Sequence, residues 1–183
     1  RSGILFKEGK YLEVLGKTNM VVLDKTGTIT KGAPEVTDSY MEDLRENQFY
    51  ELAGGVESAS SHPIAKAIVA EAKKRGLKLP QASEAVTIPG YGVQAHVNGK
   101  EVLIANPSYF QKQKLFLPQR ALNRIEMLEQ EAKTVMVVAI NKRYAGIIAA
   151  SDTVKRSSKQ AVSQLKQMGM EVIMLTGDNE ETA

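Results

Sequence analysis

Asp24 ends the apolar run Met20-Val21-Val22-Leu23 and is followed by Lys25, Thr26, Gly27, Thr28 and Thr30. A carboxylate at a strand end, ringed by an ammonium, hydroxyls and the backbone N–H groups of a glycine turn, suits attack on phosphorus. Such attack forms an acyl phosphate. The Gly27 turn and the Thr28 hydroxyl can then hold phosphate oxygens. Carboxylate and phosphate repel each other, so the chemistry calls for a divalent cation, Mg²⁺ being the usual one in phosphoryl transfer. A lone strand-ending Asp is more often a loop cap.

Three further clusters have ligand-binding chemistry. In Glu57-Ser58-Ala59-Ser60-Ser61-His62-Pro63, the His62 ring at a helix start can stack on a planar base, and Glu57 can accept a hydrogen bond from an amino group. Alone, His-Pro reads as a surface helix start. In Pro89-Gly90-Tyr91-Gly92-Val93, Gly90 and Gly92 permit close backbone approach to a ligand, or else mark a turn or bulge. Thr176-Gly177-Asp178 follows a second apolar run, Val172 to Leu175, where the Thr176 hydroxyl can bond a phosphate oxygen beside a tight turn at Gly177.

The elements that must position these residues divide into two kinds. Both apolar runs read as parallel strands buried on both faces, with the chemistry at their carboxyl ends. A helix over 157–168, stopped by Gly169, leads into the second. Between lie helices over 43–53 and 63–75, then strands within 84–104 turning at Asn98-Gly99, a helix over 120–132, and strands 134–140 and 144–150. The predicted fold is an α/β domain interrupted by an inserted α+β unit with an antiparallel sheet. The expected boundaries are 1–31 and 151–183 for the α/β parts and 32–150 for the insertion.

Composition limits the alternatives. The 183 residues are 43% hydrophobic and 25% charged, which favours a folded core over disorder. The net charge of +3, spread along presumed helix faces, is too weak to argue for nucleic acid. Absence of cysteine excludes disulfides and thiolate metal sites. No apolar run approaches the roughly 20 residues of a membrane span. Gly3-Ile4-Leu5-Phe6 and the end at Ala183 read as interior sequence of a longer protein.

Asp-Lys-Thr-Gly-Thr-Ile-Thr at 24–30 resembles the phosphorylation signature of P-type ATPases, members of the haloacid-dehalogenase-like superfamily. The Ser-x-His-Pro element at 60–63 is similar to the nucleotide-domain motif of the heavy-metal-transporting branch. Val36-Thr37-Asp38, Glu57 to Ser60 and Pro89 to Val93 look most like bacterial copper(I)-exporting members, with zinc or cadmium transporters the alternative.

The resemblance covers essentially the whole chain and implies a haloacid-dehalogenase-like phosphorylation domain carrying an inserted nucleotide-binding domain. It implies that ATP phosphorylates Asp24 with help from Lys25, Thr26, Thr28 and Thr176. Mg²⁺ would be held by the Asp24 carboxylate and the Thr26 carbonyl. Glu57 and His62 would contact adenine, while Gly90, Gly92, Asn106, Gly177 and Asp178 would shape the rest of the nucleotide site. The family has Gly-Asn where this chain has Ala105-Asn106, so the extra methyl is expected to disturb a close contact and weaken ATP binding modestly. A hinge or closure role is implied for the segment with Asp152 and Lys155.

The implied partners are transmembrane and actuator domains of the same protein, with the transported metal bound elsewhere. The chain would then be a cytoplasmic domain of an integral plasma-membrane protein. A soluble phosphatase of the same superfamily usually has an acid two positions after the nucleophile; here Thr26 cannot act as a base. A nucleotide-binding module without turnover is the remaining rival.

Overall fold

The computed structural model describes residues 5–175. They divide into two compact units: the residues up to Gly32 together with those from Val154 onward, and Ala33–Thr153.

In the first unit, helix α1 (Lys10–Gly16) precedes strand β1 (Met20–Asp24), and helix α6 (Arg156–Gln167) precedes strand β8 (Glu171–Leu175). β1 and β8 pair in parallel, Met20 opposite Glu171 and Asp24 opposite Leu175. Helix α6 ends as expected, with Gly169 donating to Lys166 and Met170 to Leu165 in the paired bonds of a Schellman stop. The expected burial on both faces is not found. Val21, Leu23 and Val172 are half-buried, while Val22 on the opposite face is 54% exposed and Leu175 is 64% exposed. The cause is coverage: among the described residues α6 packs against β8, and the face bearing Val22 stays open.

The second unit is built on a six-stranded sheet in the order β2-β7-β6-β5-β4-β3. Its strands are β2 (Thr30–Met41), β3 (Ser83–Ile88), β4 (Gly92–Val97), β5 (Lys100–Ala105), β6 (Thr134–Ile140) and β7 (Arg143–Val154). Pairing is antiparallel from β3 through β7. Alternation on β5 divides the core: Val102 and Ile104 join the cluster under helices α2 (Glu46–Glu57) and α3 (Pro63–Lys74). Leu103 and Ala105 join the one under α4 (Pro107–Lys112) and α5 (Gln119–Gln130). Each face of the sheet therefore buries its own apolar set, as the period of two requires.

Local chemistry explains the joints. Asn98 (φ 51°) and Gly99 (φ 72°) form the expected two-residue hairpin turn. Asn141 (φ 49°) and Lys142 (φ 64°) form another of the same hand. Three elements had no counterpart in the sequence reading: α1, α4 and the twelve-residue β2. Strand β2 contains Pro34 and has no apolar alternation in its first half, and it is held at Asp38 by Lys133, 2.7 Å away. Lys133 also pairs with Glu131 at 2.6 Å.

Candidate functional site

Asp24 is the last residue of β1, and its side chain is exposed. Among the described residues no hydrogen bond or ion pair engages its carboxylate. The chain then turns sharply: Thr26 has φ −75° and ψ 122°, Gly27 φ 75° and ψ −16°. These are the central angles of a type II turn, whose third position requires a positive φ and so favours glycine. Gly32 lies against it, and a Cβ there would sit 3.0 Å from the Gly27 Cα.

Thr30 staples this loop from beneath. It is 2% exposed; its Oγ1 accepts from the Gly27 N–H at 3.1 Å and donates to the Lys25 carbonyl at 3.1 Å. The Thr30 N–H also donates to the Lys25 carbonyl. The sequence places Thr30 in the ring of donors around Asp24, but its hydroxyl is used within the loop, a difference that residue type alone does not show. Lys25 is half-buried, and Thr26 and Thr28 are exposed. Thr176, Gly177 and Asp178 lie outside the described residues. The residue before Thr176 is Leu175, Asp24's partner in register.

In the second unit Glu57 and His62 are the two ends of one short loop. Glu57 closes α2 and is 5% exposed, and among the described residues no hydrogen bond or ion pair meets its carboxyl. Burial pushes its pKa up to about 7. Helix α2 comes close to the Leu79-Pro80 segment through Gly54 and Gly55. A Cβ on Gly54 would lie 2.6 Å from Leu79 and one on Gly55 2.9 Å from the Pro80 carbonyl. This Gly-Gly pair was not singled out from sequence, although adjacent glycines inside a helix signal close packing.

His62 is exposed and caps α3, its Nδ1 accepting from the Ile64 N–H at 3.3 Å, with Pro63 in the first turn. The Ser60 N–H donates to the Glu57 carbonyl at 3.0 Å, and Ser60 Oγ accepts from the His62 N–H at 3.3 Å. The helix-start reading of His62 is thus true, and it leaves the ring at the surface.

Gly90, Gly92 and Asn106 come together directly. Asn106 Nδ2 donates to the Gly90 carbonyl at 3.1 Å, and its N–H donates to the Tyr91 carbonyl at 2.9 Å. Its Oδ1 accepts from the Tyr109 N–H at 3.1 Å and from Ser108 Oγ at 2.9 Å, capping α4. Gly92 answers to packing: a Cβ there would overlap the Ile104 carbonyl and lie 2.7 Å from the Ala105 Cα. The Ala105 side chain is fully buried among residues under α4 and α5, such as Leu103 and Phe110. Its methyl therefore occupies the face opposite α2 and α3.

Among the described residues no helix is long and apolar enough to cross a membrane, and no cluster of three or more His, Asp or Glu side chains is placed to hold a metal ion.

Residues 18–183 match the haloacid dehalogenase-like hydrolase family. A copper-exporting P-type ATPase of Staphylococcus aureus (strain MW2) is 41% identical over 182 residues, covering 100% of this chain and 22% of that protein. The chain thus spans about a fifth of the length of that relative. A zinc-transporting PIB-type ATPase in its E2.Pi state superposes with a TM-score of 0.90 at 37% identity, covering 99% of this chain and 29% of the other. The catalytic domain of the CPx-ATPase CopB-B, solved to follow conformational change on nucleotide binding, gives 0.64 at 27% identity over 97% and 61%. The fold expected from the sequence, an α/β unit with an antiparallel α+β insertion, agrees with these neighbours. With its match running from residue 18 to residue 183, the chain belongs to the haloacid dehalogenase-like hydrolases.

Proposed function

We propose that this chain is the ATP-binding and phosphoryl-acceptor region of a metal-cation-transporting P-type ATPase, and that the cation is copper(I). The observation that carries the reading is the exposed Asp24 at the end of a parallel strand, entering a turn that Thr30 pins from below. The 41% identity to a copper-exporting P-type ATPase supports the choice of cation.

In this reading residues up to about 31 and from about 151 form the phosphorylation domain, and 32–150 bind nucleotide. Adenine lies by Glu57 and the His62 ring, with Gly90, Gly92 and Asn106 shaping the remainder. An Asp24 oxygen attacks the γ-phosphorus in line; the new O–P bond forms as the bond to the β–γ bridging oxygen breaks, and ADP leaves. Thr28 and Thr176 orient phosphate oxygens, Lys25 adds positive charge, and Gly177 and Asp178 adjoin the nucleotide.

The Asp24 carboxylate and the Thr26 carbonyl are hard oxygen donors, and the unengaged carboxylate at the surface fits Mg²⁺, which takes one or two carboxylates and keeps several waters. When bound there, Mg²⁺ offsets the repulsion between carboxylate and γ-phosphate. Thr26 supplies no base for hydrolysis, so the acyl phosphate persists until the rest of the protein acts on it. The chain would then work at the cytoplasmic face of the plasma membrane with transmembrane and actuator domains of the same protein.

The likeness to a zinc-transporting structure supports a second reading for the cation. Full-length protein in vesicles should form an acid-stable ³²P label from ATP that Asp24→Asn abolishes, stimulated by copper(I) and not by zinc(II). Zinc stimulation alone would transfer the assignment to the second reading. ATP titration of this chain should show binding that weakens at least several-fold in His62→Gln; equal affinity would remove His62 from the site.

A further inference from the structure

Three consecutive carbonyls of the loop after Asp24 are gathered at the start of α6. Lys155 Nζ donates to the Gly27 carbonyl at 2.5 Å and to the Thr28 carbonyl at 3.2 Å. The Ile29 carbonyl accepts from the Lys155 N–H at 2.9 Å and from Ser158 Oγ at 2.8 Å. In a trans peptide the carbonyl and the following N–H point in opposite directions. With these carbonyls turned toward Lys155, the N–H groups of Thr28, Ile29 and Thr30 are turned away from it. The last of them is taken up within the loop, the Thr30 N–H meeting the carbonyl of Lys25, the residue that follows Asp24.

We propose that Lys155 is a positioning residue for the phosphoryl-acceptor loop: its ammonium fixes the Gly27 and Thr28 carbonyls on one side so that the Thr28 N–H is presented on the other, toward the phosphoryl group. The proposal rests on the reading of Asp24 as acceptor and goes beyond it, since Lys155 would act through the loop backbone and not on ATP itself. The chemistry suits a lysine. An ammonium has three donors on a flexible stem and can serve two carbonyls at once. Strong hydrogen bonds from a charged donor also hold an exposed loop in one conformation before phosphate arrives. Preorganised donors act on the transition state more than on the bound substrate. Loss of Lys155 should therefore lower the rate of phosphorylation rather than ATP affinity.

The experiment is single-turnover phosphorylation of the full-length protein by radiolabelled ATP, comparing Lys155→Met, Lys155→Gln and Lys155→Arg with the parent. Lys155→Met should label about tenfold more slowly at saturating ATP with the ATP concentration for half-maximal rate within about twofold of the parent. Lys155→Arg, which keeps a charged multiple donor, should recover most of the rate, and Lys155→Gln should fall between. If Lys155→Met does not fold, as judged by circular dichroism, the Gln and Arg pair still ranks donor number against rate. Parent-like labelling in Lys155→Gln or Lys155→Met overturns the proposal, as does a loss seen only in half-saturation. If the parent itself carries no label that Asp24→Asn removes, the acceptor reading falls and takes this one with it. Normal labelling of the parent with fast labelling of the variants sinks the Lys155 proposal alone.

Discussion

Glu57 sets a pH dependence that can be read without any ligand. Its carboxyl stays protonated in the folded chain up to about pH 7, against an ordinary value of 4.5, because burial penalises the charge. Between those values the folded state binds more protons than the unfolded one, so this group's contribution to stability falls as pH rises through the window and levels off above it. The difference between Glu57→Gln and the parent should grow by on the order of 2–3 kcal/mol in the variant's favour from pH 4.5 to 8. Urea melts at several pH values measure it, and parallel pH profiles would show that the carboxyl is solvated after all.

Ala105 offers a second test at this scale. Its methyl is core, so Ala105→Gly should cost about 1–2 kcal/mol of stability and leave ATP affinity within about twofold. A gain in affinity would restore the sequence-based expectation that this methyl obstructs the nucleotide. Asp24 was legible because its chemistry is spelled out in consecutive residues. The burial of Glu57 was not, since it depends on helix α2 approaching Leu79 and Pro80 across two glycines.

At the scale of elements, legibility followed the strength of the stop signals. Helix α3 ends at Gly76 and α6 at Gly169, each with a positive φ, and both ends were readable. Helix α5 ends in the same pair of bonds, Ala132 donating to Glu129 and Lys133 to Leu128, but places an alanine at φ 57°. Helix α4 does likewise with Lys114 at φ 53° and was not seen in the sequence at all. A left-handed alanine is strained, so Ala132→Gly should stabilise the chain by about 0.5–1 kcal/mol net of the greater freedom glycine has when unfolded. Thermal melts check this, and a lower midpoint would mean the α5 corner carries no strain. The helix predicted over 43–53 forms instead at Glu46–Glu57, because Asp43 adopts φ 53° and Arg45 takes the cap position. Strand β2 was missed for a different reason: its pairing with β7 is long-range, and little in its own alternation announces it.

For the molecule as a whole, burial is unevenly shared between the two units. The sheet of Ala33–Thr153 has both faces covered, with Val102, Ile104, Val137 and Ile147 at zero exposure. None of the described residues of β1, β8, α1 or α6 is fully buried. Amide exchange should therefore be slowest at those four positions and faster by orders of magnitude in β1 and β8, since opening free energy follows local apolar burial. Equal protection across the chain would contradict this reading of the burial. The parallel character of β1 and β8 was legible in two short apolar runs, but their pairing with each other was not, and the burial expected on both faces did not follow, because a run of Val, Ile and Leu states what a strand prefers and not what covers it.

That open strand face also gives the chain a clean optical handle. The sequence contains no tryptophan and no cysteine, and Val22 stands more than half exposed on β1, two residues before Asp24. A tryptophan in place of Val22 would be the sole indole in these 183 residues. Its emission would shift to the blue whenever another surface comes to rest on that face, so docking there could be followed in real time from intrinsic fluorescence.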